Sequence, residues 1–164
     1  MNALPPLTVL FLSTGNAARS IIAEALLREK GGERFKARSA GFRPAAAIHS
    51  QTINLLAAEK IPSGGLHTKN WGEFLAAAHL VPIDALVTLS EEARLYCPAW
   101  PGNPARVHWP VDDPLAAEKP EVREWKFRKC FATLEARVEA LIKTRLGRAP
   151  GELLLQLKGI GRVV

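Results

Sequence analysis

The chain is poor in cysteine, has no long apolar run and has no repeat, and each absence removes a class of protein. Cys97 and Cys130 are its only cysteines in 164 residues. Two are too few for the disulfide framework of a small secreted scaffold. No apolar stretch approaches the roughly 20 residues of a membrane helix. The N-terminus lacks the basic-then-apolar form of a signal peptide. A cytoplasmic chain with no membrane partner is expected. No internal repeat, low-complexity tract or linker interrupts the sequence. No clustered His/Cys/Asp/Glu pattern marks a metal site, and His49 and His67 read as surface or core histidines.

What is present fits one globular domain spanning residues 1–164, with 48% hydrophobic and 23% charged residues. The net charge is +6, and residues 119–164 carry the whole excess, with eleven basic residues against five acidic. Such a region suits acidic partners or nucleic acid. Its spacing is that of a helix exterior, and no aromatic residues interleave with the charges on that face as in a single-strand groove. A solvated helix face is therefore expected, and nucleic-acid binding is not.

Hydrophobic periodicity alternates between strand and helix. Residues 1–6, with Pro5-Pro6, read as an extended lead-in. Strands are predicted at 8–12, 35–39, 85–89 and 105–109. A helix over 18–30 has Ile22, Ala25 and Leu26 on its inner face, Glu24 and Arg28 off it, and Gly31-Gly32 at its end. A turn is expected at Ser39-Ala40-Gly41 and Arg43-Pro44. A second helix covers 49–58 with Ile53, Leu56 and Ala57 inward, and a short one over 69–78 carries Trp71 and Phe74. Residues 90–104 read as a Pro-rich loop and 110–114 as another. Over 121–146, Phe127, Phe131, Leu134, Val138 and Leu141 form a core-facing stripe, and Cys130 lies one position off it as inert packing. A last short helix covers 152–157. The predicted fold class is α/β, a doubly wound four-stranded parallel sheet with helices on both faces.

The first strand passes through a Gly/Asn pair into the first helix. Free N–H groups at such a helix start bind anions. Gly15 would let the backbone close around a small oxyanion. Arg19 would add a planar fork suited to phosphate or arsenate oxygens. An ordinary strand-to-helix turn is the alternative. Ligands of such sheets sit at the carboxyl ends of the strands, where loops 13–19, 90–104 and 110–114 converge.

The stretch Leu12-Ser13-Thr14-Gly15-Asn16-Ala17-Ala18-Arg19-Ser20 resembles the signature loop of the low-molecular-weight protein tyrosine phosphatases and their relatives, the thioredoxin-coupled arsenate reductases. That loop reads Cys, five residues, Arg, Ser/Thr, usually C-T-G-N-S-A-R-S. The resemblance implies that residues 13 to 20 cradle a phosphate-like oxyanion (phosphate, sulfate, arsenate or a phosphorylated substrate). It puts Ser13 at the nucleophile position, Arg19 on the anion, and Ser20 as a hydrogen-bond donor to the nucleophile. Trp109-Pro110-Val111-Asp112-Asp113-Pro114 resembles the family's acid loop, which makes Asp113 the candidate general acid. An Asp-Asp-Pro turn that merely caps the next segment is the alternative. Val87-Thr88-Leu89-Ser90 followed by Cys97-Pro98 resembles the arsenate-reductase redox segment, with Cys97 at the second cysteine position and Ser90 at the first; a structural thiol is the alternative for Cys97. Ser39-Ala40-Gly41 with Pro44, residues 66–71 and Ile160-Gly161-Arg162 also look like family segments.

Ser13 changes the expected chemistry. A cysteine in this loop ionises at neutral pH; a serine hydroxyl stays neutral and needs an adjacent base, which the signature loop does not offer. Arsenate reduction would need no resident cofactor but a thioredoxin-type reductant, and serine cannot form the disulfide that supplies the electrons. The expectation is a family member that binds oxyanions and is inactive or nearly so. A non-enzymatic module that senses an oxyanion or a phosphorylated partner is the alternative. Ala17 and Ser90 also depart from the pattern, where a trapping substitution would need one change, and this points to a natural variant.

Overall fold

The computed structural model describes residues 4–163. Residues 1–3 of the expected lead-in lie outside them; residues 4–6 carry no regular structure. The strands are β1 (Leu7–Ser13), β2 (Phe35–Gly41), β3 (Ala85–Thr88) and β4 (Ala105–His108). The helices are α1 (Arg19–Gly31), α2 (Ser50–Ala58), α3 (Trp71–Ala76), α4 (Glu91–Tyr96), α5 (Pro120–Lys143) and α6 (Pro150–Ile160). The sheet runs β2-β1-β3-β4, all parallel. Every residue of β1 and β3 is buried, as central parallel strands require.

The two faces of the sheet hold separate cores. Val9, Phe11, Val87 and Val107 meet α1, α5 and α6 on one face. Leu10, Leu12 and Leu86 meet Trp71, Ala93, Cys97 and Trp100 on the other. The predicted doubly wound arrangement, with helices on both faces, is what forms. The stripe on α5 is buried as expected, and Cys130 with it.

Several local expectations are corrected. The 90–104 segment is not wholly loop, because α4 occupies its first half, capped by the Ser90 hydroxyl, which accepts from the Ala93 N–H at 3.1 Å. Glu24 is not off the buried face; α1 is enclosed from Ser20 to Leu27, by the sheet on one side and α5 on the other. In α2 the buried residues are Thr52 and Leu56, while Ala57 is exposed. Thr52 can face inward because its hydroxyl donates to the Ala17 carbonyl at 2.7 Å. An aromatic ring does stand among the surface charges of α5: Trp125 is exposed, with the Lys129 ammonium 5.2 Å from its ring centre. Among the described residues no helix is long and apolar enough to cross a membrane.

Candidate active site

β1 is flanked by β2 on one side and β3 on the other, so the chain after Ser13 emerges where the direction of winding reverses. Ligand sites of open α/β sheets form at this crevice. Residues 13–19 turn back there into α1, and the turn is held from outside. The N–H groups of Phe42, Arg43, Ala45 and His49 donate to the carbonyls of Ser13, Thr14, Gly15 and Ala17 at 2.8–3.2 Å. With those carbonyls facing outward, the N–H groups of Gly15, Ala17 and Ala18 find no protein acceptor among the described residues. No side chain caps the start of α1 either, so its first donors also remain open. Together with Asp113 and Leu115 the turn encloses a recess of about 190 Å³.

The left-handed residue of this turn is Asn16, with φ of 51°, and not Gly15. Asn tolerates that conformation better than most residues, and its side chain rewards it. Asn16 is completely buried. Its amide donates to the Ser20 hydroxyl at 2.8 Å and the Ser39 hydroxyl at 2.9 Å, while its oxygen accepts from the Lys69 N–H at 2.8 Å. Ser39 in turn donates to Glu24 at 2.5 Å, and the Lys69 ammonium lies 3.6 Å from the same carboxylate. Burial draws the Lys69 ammonium below the ordinary lysine pKa, against the pull of Glu24. Gly41 is needed beside this network. A Cβ there would lie 2.9 Å from the Asn16 Cβ and 3.0 Å from the Thr14 carbonyl.

Ser13 is 2% exposed. Its hydroxyl oxygen lies 2.6 Å from that of Ser20 and accepts from the Asn16 N–H at 3.2 Å. Because Asn16 already donates to Ser20, the Ser20 hydroxyl is placed to donate to Ser13. Neither partner of Ser13 is a base.

Arg19 donates from Nη1 to the Val111 carbonyl at 3.1 Å and holds Nη2 3.7 Å from Asp113 Oδ2. Asp113 Oδ1 accepts from the Leu115 N–H at 3.0 Å. Asp113 thus caps the following turn with one oxygen and turns the other toward Arg19. Trp109 anchors the 110–114 loop: it is fully buried and donates to the Leu157 carbonyl at 2.9 Å. A side chain at Gly161 would collide with that indole at 2.5 Å. Arg137 ties the same loop from below, donating to the Pro110 carbonyl at 3.2 Å and the Val163 carbonyl at 3.1 Å.

Residues 8–150 match the model of a family described as low molecular weight phosphotyrosine protein phosphatase. The chain belongs to this family. An arsenate reductase of Halalkalibacterium halodurans is 30% identical over 138 residues, which are 83% of this chain and 95% of the relative. The arsenate reductase structure from Archaeoglobus fulgidus is similar with a TM-score of 0.65 and 27% identity, over 83% of this chain and 99% of that one. The thioredoxin-dependent arsenate reductase of Corynebacterium glutamicum has a TM-score of 0.65 and 26% identity; the match covers 87% of this chain but 63% of that chain.

Within the low-molecular-weight phosphatase fold, the two expected redox positions occupy opposite ends of α4. Ser90 stands beside the signature turn, its oxygen accepting from the Thr14 hydroxyl at 3.0 Å. Cys97 closes the helix inside the second core. Burial pushes its thiol up, partly opposed by the Arg106 charge. Cys130 is more deeply buried and pushed up to about 12. Both thiols are free. His49 caps α2 and stacks on Phe127, while His67 is exposed. The contacts made by Glu24, Lys69, Gly41, Thr52 and Arg137 are not legible in the sequence because they join distant segments.

Proposed function

We propose that this member of the family seats a tetrahedral oxyanion or phosphoryl group on the 13–19 turn and turns it over far more slowly than a thiolate in the same place would. The observation that carries the reading is the orientation of the turn. Its carbonyls are held outward, its free N–H groups line a recess, and Arg19 and Asp113 flank that recess. Open backbone donors, a helix start and a guanidinium together favour a dianion.

In a phosphatase reaction the Ser13 oxygen would attack phosphorus while the bond to the leaving oxygen breaks, and Asp113 would give that oxygen its proton. The Ser13 proton then has nowhere to go, because its partners are the Ser20 hydroxyl and the Asn16 N–H. That is the barrier the thiolate avoids. Arsenate reduction takes two electrons from thiols that become a disulfide. Ser13 and Ser90 supply none, and Cys97 is packed in apolar surroundings. An outside thioredoxin-type reductant would have no relay to recharge.

The test compares the chain with Ser13→Cys. Both should bind inorganic phosphate, and only the variant should hydrolyse a small aryl phosphate at an appreciable rate. Failure of both proteins to bind phosphate would overturn the reading.

A further inference from the structure

A second recess, about 180 Å³ in volume, opens between residues 110–112 and α5. Lys126, Lys129, Thr133 and Arg137 line it, with Cys130 behind them and Asp112 as its one carboxylate. Three cationic side chains face one anionic one. Arg137 is 6% exposed, and its known partners are two backbone carbonyls. Among the described residues it has no carboxylate within 4 Å, and neither Lys126 nor Lys129 forms an ion pair. A guanidinium carries five N–H donors, and two are used. A buried charge without a counter-ion is costly unless something supplies one.

We propose that this recess is a second oxyanion seat, which takes a small tetrahedral dianion of sulfate or phosphate size. Arg137, Thr133 and Lys126 line it from α5, and residues 110–112, Asp112 among them, close it. The Cys130 thiol, pushed up to about 12 by burial, stays protonated and does not oppose an anion. The seat shares a wall with the first site. The Pro110 carbonyl binds Arg137 and the Val111 carbonyl binds Arg19, so an ion on α5 would brace the loop that carries Asp113. Nothing in the assignment depends on chemistry at Ser13.

The experiment is a titration of the isotopically labelled chain with sulfate against chloride at constant ionic strength, read by amide NMR shifts. Two groups of amides should respond, residues 13–19 and residues 110–112 with 126–133. Lys126→Glu should weaken the second response by about tenfold and leave the first in place. Arg19→Ala should weaken the first and leave the second. The proposal is overturned if residues 126–133 do not respond. It is also overturned if their response is the same in Lys126→Glu, or if it vanishes together with the first in Arg19→Ala. The reading of the first seat fails separately, if residues 13–19 stay silent in the unaltered chain.

Discussion

Arg19 Nη2 stands 3.7 Å from Asp113 Oδ2, while its other terminal nitrogen is hydrogen-bonded to the Val111 carbonyl. One guanidinium thus joins the 13–19 turn to the 110–114 loop. Arg19→Ala should weaken sulfate binding at the 13–19 turn by about 1.5–3 kcal/mol, the range of a charge-assisted hydrogen bond. Calorimetry at fixed ionic strength measures it, and equal affinity in both proteins would contradict the assignment.

The thiols give a redox prediction. Titration of the denatured, unreduced protein should find both Cys97 and Cys130 as free thiols. In the native protein both should react slowly at neutral pH, because burial holds both thiols up. Ser13→Cys should add one thiol that iodoacetamide alkylates quickly near pH 6–7, since ring amides and Arg19 would lower its pKa. A new thiol no faster than the other two would mean that the turn does not stabilise an anion.

The buried pair behind the turn makes a stability prediction. Lys69 and Glu24 are both under a tenth exposed. Lys69→Met alone should cost about 3–5 kcal/mol, because it leaves a buried carboxylate without its cation. The double variant with Glu24→Gln should cost less than the two single changes summed, with a coupling of about 0.5–3 kcal/mol. Urea unfolding of the four proteins measures this; additive losses would show the pair to be uncoupled.

Gly41→Ala tests the close approach of β2 to the turn. The added carbon would press on Asn16 and the Thr14 carbonyl. Destabilisation of about 1–3 kcal/mol is expected from overpacking, together with weaker sulfate binding because Asn16 must move. Unchanged affinity would show that the turn does not depend on this contact.

Periodicity and local chemistry made the sheet legible. Val9 to Leu12 and Ala85 to Thr88 are unbroken apolar or small runs, and they became the two central strands. The converging loops followed from the parallel order. Other features depend on contacts far apart in sequence. Glu24 looked like a surface residue of α1 because its partners, Ser39 and Lys69, lie 15 and 45 positions on. The left-handed residue of the turn, Asn16, is held by side-chain hydrogen bonds to Ser20 and Ser39, and Ser39 lies 23 positions on. Helix α4 was hidden by the prolines that follow it, although Ser90 with Glu91 and Glu92 is a recognisable helix start.

The most direct test is hydrolysis of two aryl phosphates by Ser13→Cys, one with a leaving group that needs a proton and one with a leaving group that does not. If residues 13–19 form an active site lacking only its sulfur, Ser13→Cys will hydrolyse both while the unaltered chain remains nearly inert. Adding Asp113→Asn will then slow the poor leaving group by about 10²–10⁴ and the good one much less. A correctly folded Ser13→Cys protein with no activity on either substrate would contradict the account.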